Sequence, residues 1–149
     1  MMDKPKNRYV FDMDGTLALV DHRRPLLDKE RPDWHSCNKA SLLDTPNEAV
    51  VCVLRALHAA AYEVWIVSAR SDVAELETRG WLKKYNVPFH QLLMRSASDH
   101  RADDILKKEW ALKYNFLENV NAVFDDRNSV VAMWRSLGIP CFQVAQGDF

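Results

Sequence analysis

The chain has 149 residues, 48% hydrophobic and 28% charged, enough for one buried core and about one domain spanning 1–149. Its 20 Lys and Arg against 21 Asp and Glu give a formal charge of -1, which excludes both a basic nucleic-acid coat and an acidic disordered tail. With 4 glycines and 6 prolines, it has little material for linkers or low-complexity segments.

Residues 8–12, Arg-Tyr-Val-Phe-Asp, read as a short buried strand. Residues 47–61 read as a helix with Val50, Val51, Leu54 and Leu57 on one face. A second strand follows at 63–68, and Ser71 is placed to cap a helix running to about residue 85. After a turn at 86–88 come a third strand near 91–94 and a helix at 103–114 with acids in its first turn. Residues 122–125 form a fourth strand, 129–137 a helix and 141–145 a fifth strand. This alternation predicts an α/β fold: a Rossmann-like parallel sheet of about five strands with helices on both faces. Ligands then belong at the carboxyl ends of the strands.

Cys37, Cys52 and Cys141 are widely spaced, odd in number and lack any CxxC pair, so neither a zinc clamp nor a disulfide framework is expected. Reduced thiols in a cytoplasmic setting fit better, with Cys52 and Cys141 filling core space. Residues 1–6 lack the apolar stretch of a leader. No apolar run approaches the ~20 residues of a membrane helix, so no membrane partner is expected.

Asp12-Met13-Asp14-Gly15-Thr16 follows directly on the first strand. Carboxylates at i and i+2 of an extended segment project to one side, and Gly15 permits a tight turn whose amides and Thr16 can meet anionic oxygens. Such acids suit a hard cation, a carboxylate nucleophile and a proton donor. Ser68 ends the second strand and Arg70 follows two residues later, where a hydroxyl and a guanidinium can hold phosphate; alternatively Ser68 merely starts the strand-helix loop and Arg70 pairs with an acid. Asp125 and Asp126 close the fourth strand, so four carboxylates converge, which a divalent cation would relieve. Asp126 or Asn128 could equally cap the helix that follows. Lys107 lies beside the apolar stripe Leu106, Trp110 and Tyr114, where a surface lysine is the ordinary expectation.

The segment Phe11-Asp12-Met13-Asp14-Gly15-Thr16-Leu17 resembles the first signature of the haloacid dehalogenase superfamily of phosphotransferases. The resemblance implies Asp12 as nucleophile, Asp14 as general acid then base, and Mg²⁺ held by the Asp12 carboxylate and the Asp14 main-chain carbonyl. It makes Ser68 the second signature and Lys107 the cation that stabilises the nucleophile and phosphate, with Lys108 as the alternative. It also implies that Asp126 ligates the metal directly and Asp125 through water or a hydrogen bond, or the reverse.

A narrower resemblance, to the phosphatase domain of phage-type polynucleotide kinase-phosphatases, spans nearly the whole chain. It rests on Asp21-His22-Arg23-Arg24-Pro25, Val67-Ser68-Ala69-Arg70, residues 101–107, Phe124-Asp125-Asp126-Arg127, residues 131–138 and 141–145, and Gly147-Asp148-Phe149. The implied reaction removes a 3'-terminal phosphate from DNA or RNA, with Thr16, Arg23, Ser68, Arg70, Asp103 and Arg127 as the substrate-binding set. No G-x-x-x-x-G-K-[ST] loop occurs, so the family's kinase half is not expected in this sequence. The stretch from residue 26 to 44 is too short for a large cap. A near alternative is a phosphatase of mononucleotides or other small phosphomonoesters; a more distant one is a non-enzymatic docking subunit for a separate kinase or ligase. Trp34 either stacks on a terminal base or, as expected here, packs under its loop, while Trp65, Trp81, Trp110 and Trp134 fit the core. Oligomeric state stays open. With the four site acids set aside, basic residues are in excess, and Arg23, Arg24, Arg70, Arg101, Lys107 and Arg127 gather near the motifs.

Overall fold

A computed structural model describes residues 4–28 and 30–149; the first three residues, on which the leader expectation partly rests, lie outside the described residues. In chain order the elements are β1 (Arg8–Asp12), β2 (Ala18–Leu19), α1 (Trp34–Ala40), β3 (Thr45–Pro46), α2 (Glu48–Ala59), β4 (Glu63–Ser71), α3 (Glu75–Lys84) and β5 (Gln91–Arg95). There follow α4 (Asp103–Lys113), α5 (Phe116–Asn119), β6 (Val120–Asp125), α6 (Asn128–Ser136) and β7 (Cys141–Gln143). Five strands form one parallel sheet in the order β5-β4-β1-β6-β7, and β2 pairs antiparallel with β3 as a small ribbon. This is the expected α/β architecture.

Side-chain alternation along the strands divides the core in two. Val10, Trp65, Val67 and Val123 face one way and pack under Leu106, Trp110, Phe116, Val130 and Trp134 of α4, α5 and α6. Phe11, Val64 and Ile66 face the other way, against Val50, Val51, Leu54, Trp81 and Leu82 of α2 and α3. Burying each such aliphatic side chain contributes about 1.5–3 kcal/mol. Because β1 is central and buried on both faces, the chain leaving it must turn within the crevice. Gly15, at φ 79°, makes that turn.

Several local expectations change. β4 runs on to Ser71, with a shift in its pairing to β5 between Ser68 and Ser71, so Ser68 lies inside the strand. Ser71 caps a short 3-10 turn at Asp72–Ala74 by accepting from the Val73 amide, and α3 begins only afterwards. Neither Asp126 nor Asn128 caps α6, whose N-cap is Arg127 without a side-chain bond. The Asn128 amide oxygen instead accepts from Gln143 Nε2 at 2.6 Å.

β7 ends at Gln143 because the following segment leaves the sheet to cover the loop after β6. There Gly147 O accepts from Asn128 N at 2.7 Å. Gly147 fits so closely that an added Cβ would lie 2.0 Å from Asp126 O. Cys141 is in the core, but Cys52 faces outward from α2 and Cys37 is the second buried thiol. Trp34 is 62% exposed and does not pack under its loop. Trp65, Trp81, Trp110 and Trp134 are buried as expected. Between β1 and β3 the described residues form only short pieces: β2, and 3-10 turns at Asp21–Leu26 and Ser41–Leu43 around α1. Among the described residues no helix is long and apolar enough to cross a membrane.

Candidate active site

The carboxyl ends of β1 and β6 bring Asp12, Asp125 and Asp126 together, all buried, with one oxygen from each lying within 4.8 Å of the others. The cation facing them is Lys107, from the second turn of α4 and 2% exposed. Its Nζ donates to Asp12 Oδ1 at 2.8 Å and to Asp125 Oδ2 at 2.9 Å. Lys108, the alternative, is exposed, and Lys107 is the lysine that lies against the acids. Thr16 donates its hydroxyl to Asp12 Oδ2 at 3.1 Å, which fixes the carboxylate from the other side. Asp125 is further tied by Trp134 Nε1 at 3.3 Å and by the Asp126 amide at 2.9 Å.

Burial and the neighbouring Asp125 push the Asp12 carboxyl well above its usual range, and the same two causes raise Asp126. Burial alone would depress the Lys107 ammonium, but Asp12 and Asp125 hold it firmly protonated. Three crowded acids against one ammonium form a site that a hard, oxygen-seeking cation fits. Asp126 approaches the turn so closely that a Cβ on Gly15 would lie 2.1 Å from its Oδ2.

Asp14 does not join that group, although convergence of four carboxylates was expected. Its carboxylate turns to two arginines: Arg23 Nη2 at 2.6 Å, and Arg70 through Nε at 2.9 Å and Nη2 at 2.5 Å. Burial would raise the Asp14 carboxyl, but Arg70 and then Arg23 overcome it and pull it down to about 2. Both guanidiniums also converge on Asp44, whose side chain is 0% exposed. Asp44 accepts from Arg23 Nε at 2.8 Å and Nη2 at 2.9 Å, and from Arg70 Nη2 at 3.1 Å; His22 Nε2 lies 2.6 Å from its Oδ1. Thr78 and the Cys37 sulfur accept remaining donors of Arg70 and Arg23. Ser68 is buried one residue before Ala69 in β4, its Oγ accepting from the Arg70 amide at 3.1 Å.

Asp103 and Arg127 sit farther out and pair with each other, Arg127 Nη1 to Asp103 Oδ2 at 2.6 Å. Arg95, at the end of β5, donates to the other Asp103 oxygen at 2.7 Å. The sequence-predicted residues thus fall into three groups: Asp12, Thr16, Lys107, Asp125 and Asp126; Asp14, Arg23, Ser68 and Arg70; and Asp103 with Arg127.

Sequence reasoning missed Asp44, His22 and Arg95. The available signal for Asp44 was indirect: two arginines buried at one site need more carboxylate than Asp14 supplies. Chemically, the site sets a buried carboxylate beside a cation-ready acid cluster, with a second carboxyl and two guanidiniums two residues along the chain.

Residues 6–149 match the family described as polynucleotide kinase PNKP phosphatase domain. The chain is 34% identical, over 93% of its length, to a protein of Autographa californica nuclear polyhedrosis virus named as a bifunctional polynucleotide kinase/RNA ligase, of which it spans 19%. A chain in the solved Pnkp1/Rnl/Hen1 complex is 35% identical and superposes with a TM-score of 0.84 over 99% of this chain and 49% of that one. The chain therefore spans about half or less of these relatives. A class C acid phosphatase from Bacillus anthracis, 13% identical with a TM-score of 0.67 over 85% of this chain and 54% of that one, shares the fold.

Proposed function

Because the chain belongs to the polynucleotide kinase PNKP phosphatase-domain family, we propose that it is a Mg²⁺-dependent phosphomonoesterase acting on 3'-terminal phosphates of DNA or RNA ends. The observation that carries this reading is the Asp12 carboxylate, held by Lys107 and Thr16 beside Asp125 and Asp126.

Asp12 attacks phosphorus, and the bond to the 3'-oxygen breaks to leave an aspartyl-phosphate. Asp14 takes up a proton from solvent as the phosphate binds beside it and delivers it to the departing oxygen; it then takes one from the water that cleaves the aspartyl-phosphate, releasing inorganic phosphate and restoring Asp12. Two arginines keep Asp14 ionised in the free protein, and the negative phosphoryl group beside it raises its proton affinity when substrate arrives. Lys107 balances charge at Asp12 and the Ser68 hydroxyl receives a phosphoryl oxygen, whereas the Thr16, Leu17 and Ala18 amides are already spent on the Met13 carbonyl. Arg127 and Asp103 form the outer part of the substrate site. Asp12, Asp126 and Asp125, with the Asp14 main-chain carbonyl, would hold the metal, and Asp126 is favoured over Asp125 as the direct ligand because Asp125 already accepts from Lys107, Trp134 and the Asp126 and Arg127 amides. When bound there, Mg²⁺ supplies electrostatic stabilisation of the phosphoryl oxygens.

The product, a 3'-hydroxyl end, is what a joining enzyme consumes, so a separate kinase or ligase is the partner class this reading implies. The test is phosphate release from 3'-phosphorylated oligonucleotides, 5'-phosphorylated oligonucleotides and 3'-mononucleotides, with Asp12→Asn as control. Preference for the 3'-phosphorylated oligonucleotide supports the proposal. Faster turnover of mononucleotides replaces it with a small-molecule phosphatase, and full activity of Asp12→Asn overturns the covalent mechanism.

A further inference from the structure

The segment 144–149 covers the loop that carries Asp126 and ends in an aromatic side chain the chemistry above does not use. Phe149 is 55% exposed. The Arg127 guanidinium lies 5.3 Å from its ring centroid and that of Arg24 lies 4.8 Å away. Arg24 lies in the segment after β1 and Arg127 directly after β6, so both guanidiniums over the ring come from chain that leaves the strands bearing Asp12 and Asp125. The ring is held in place, because Arg127 Nε donates to Phe149 O at 2.9 Å and Asn128 N to Gly147 O at 2.7 Å. Gly147, seated against the Asp126–Arg127 backbone, leaves the segment no room to move toward that loop.

A large apolar ring, half open to water and flanked by cations at the mouth of a phosphoester site, has the makings of a platform for a planar, anionic ligand. Nucleic-acid grooves combine positive charge with aromatic faces on which bases of any sequence stack. We propose that Phe149 stacks on the base of the terminal nucleotide and so selects nucleotide ends over other phosphomonoesters. The proposal rests on the function proposed above.

The discriminating ligand is an end that keeps its 3'-phosphate but has lost its base. For wild type, Phe149→Ala and Phe149→Tyr, kcat/KM is measured on 3'-phosphorylated oligonucleotides with a normal and with an abasic terminal residue. Stacking predicts that wild type prefers the base-bearing end, and that the preference falls roughly ten-fold in Phe149→Ala, mainly through KM, and is kept in Phe149→Tyr. A preference unchanged in Phe149→Ala, or absent in wild type, overturns the proposal and leaves the ring as a brace for Arg127. If wild type turns over neither oligonucleotide yet hydrolyses a mononucleotide, the polynucleotide reading itself has failed and the stacking proposal fails with it.

Discussion

Lys107 and Asp12 are 95 positions apart in the chain, yet the lysine Nζ donates to Asp12 Oδ1 at 2.8 Å inside the core. An ammonium is buried this deeply only when carboxylates repay its lost hydration, and here two of them do. The pair joins α4 to the central strand, so the helix that carries Asp103 is registered on Asp12.

Asp12→Asn separates chemistry from stability. Loss of the carboxylate should cost roughly 10³-fold or more in kcat. Because burial and Asp125 raise the folded-state affinity of Asp12 for a proton, its ionised form opposes folding above the unfolded value near 3.8. That cost grows as pH rises through the folded pKa. In EDTA at pH 7, thermal unfolding of Asp12→Asn should occur at or above the wild-type temperature, with the difference closing toward pH 4. A variant clearly less stable than wild type under those conditions contradicts the assignment.

Asp14 has the opposite sign. Its folded pKa, about 2, lies below the unfolded value of 3.8, so its contribution is present above 3.8 and disappears as pH falls toward 2. With a third of the carboxylate open to water, Asp14→Asn should cost on the order of 1 kcal/mol at pH 7. Chemical denaturation at pH 7 and pH 2.5 reads the difference, which should shrink at the lower pH.

Asp44→Asn removes the carboxylate on which Arg23 and Arg70 meet. Leaving two buried guanidiniums undercompensated should cost about 3–5 kcal/mol, seen as a lower denaturation midpoint. If the folded variant retains wild-type kcat/KM on a phosphomonoester, the arginines do not depend on Asp44 for their placement.

Gly15→Ala forces a side chain into a left-handed turn and against Asp126. The backbone alone should cost about 1–2 kcal/mol. Since Asp126 must move, the Mg²⁺ concentration giving half-maximal activity should also rise. An unchanged Mg²⁺ titration curve would show that Asp126 is not held through this contact.

The sheet, the strand ends and the acidic pairs at 12, 14, 125 and 126 were legible because short apolar runs and turn residues are local signals. Asp44 was not. It stands alone between Leu43 and Thr45, in no periodic pattern, and its partners are chosen by tertiary folding. Cys52 was assigned inward from the usual burial of cysteine, although the stripe through Val50, Val51 and Leu54 already points its position outward. Of the two expected caps, Asp126 and Asn128, the second is engaged elsewhere: Gln143, from the strand β7 that lies farther along the chain, donates to its amide oxygen. Asp14 was grouped with Asp12 by alternation, but Gly15 and the two arginines swing its carboxylate elsewhere.

The split between the two charged clusters has an electrical consequence. Asp14 and Asp44 balance Arg23 and Arg70, so that half of the crevice is neutral when all four are ionised. On the other half, three carboxylates face one ammonium; when all three are ionised, which burial and their mutual repulsion oppose, two negative charges remain uncompensated, the amount one divalent ion cancels. Metal loading would therefore turn the floor of the crevice from repelling an incoming anion to accepting it, without any rearrangement of the arginines. In this protein the ion would act as a gatekeeper of encounter as well as a participant in chemistry, and the association rate should track its occupancy.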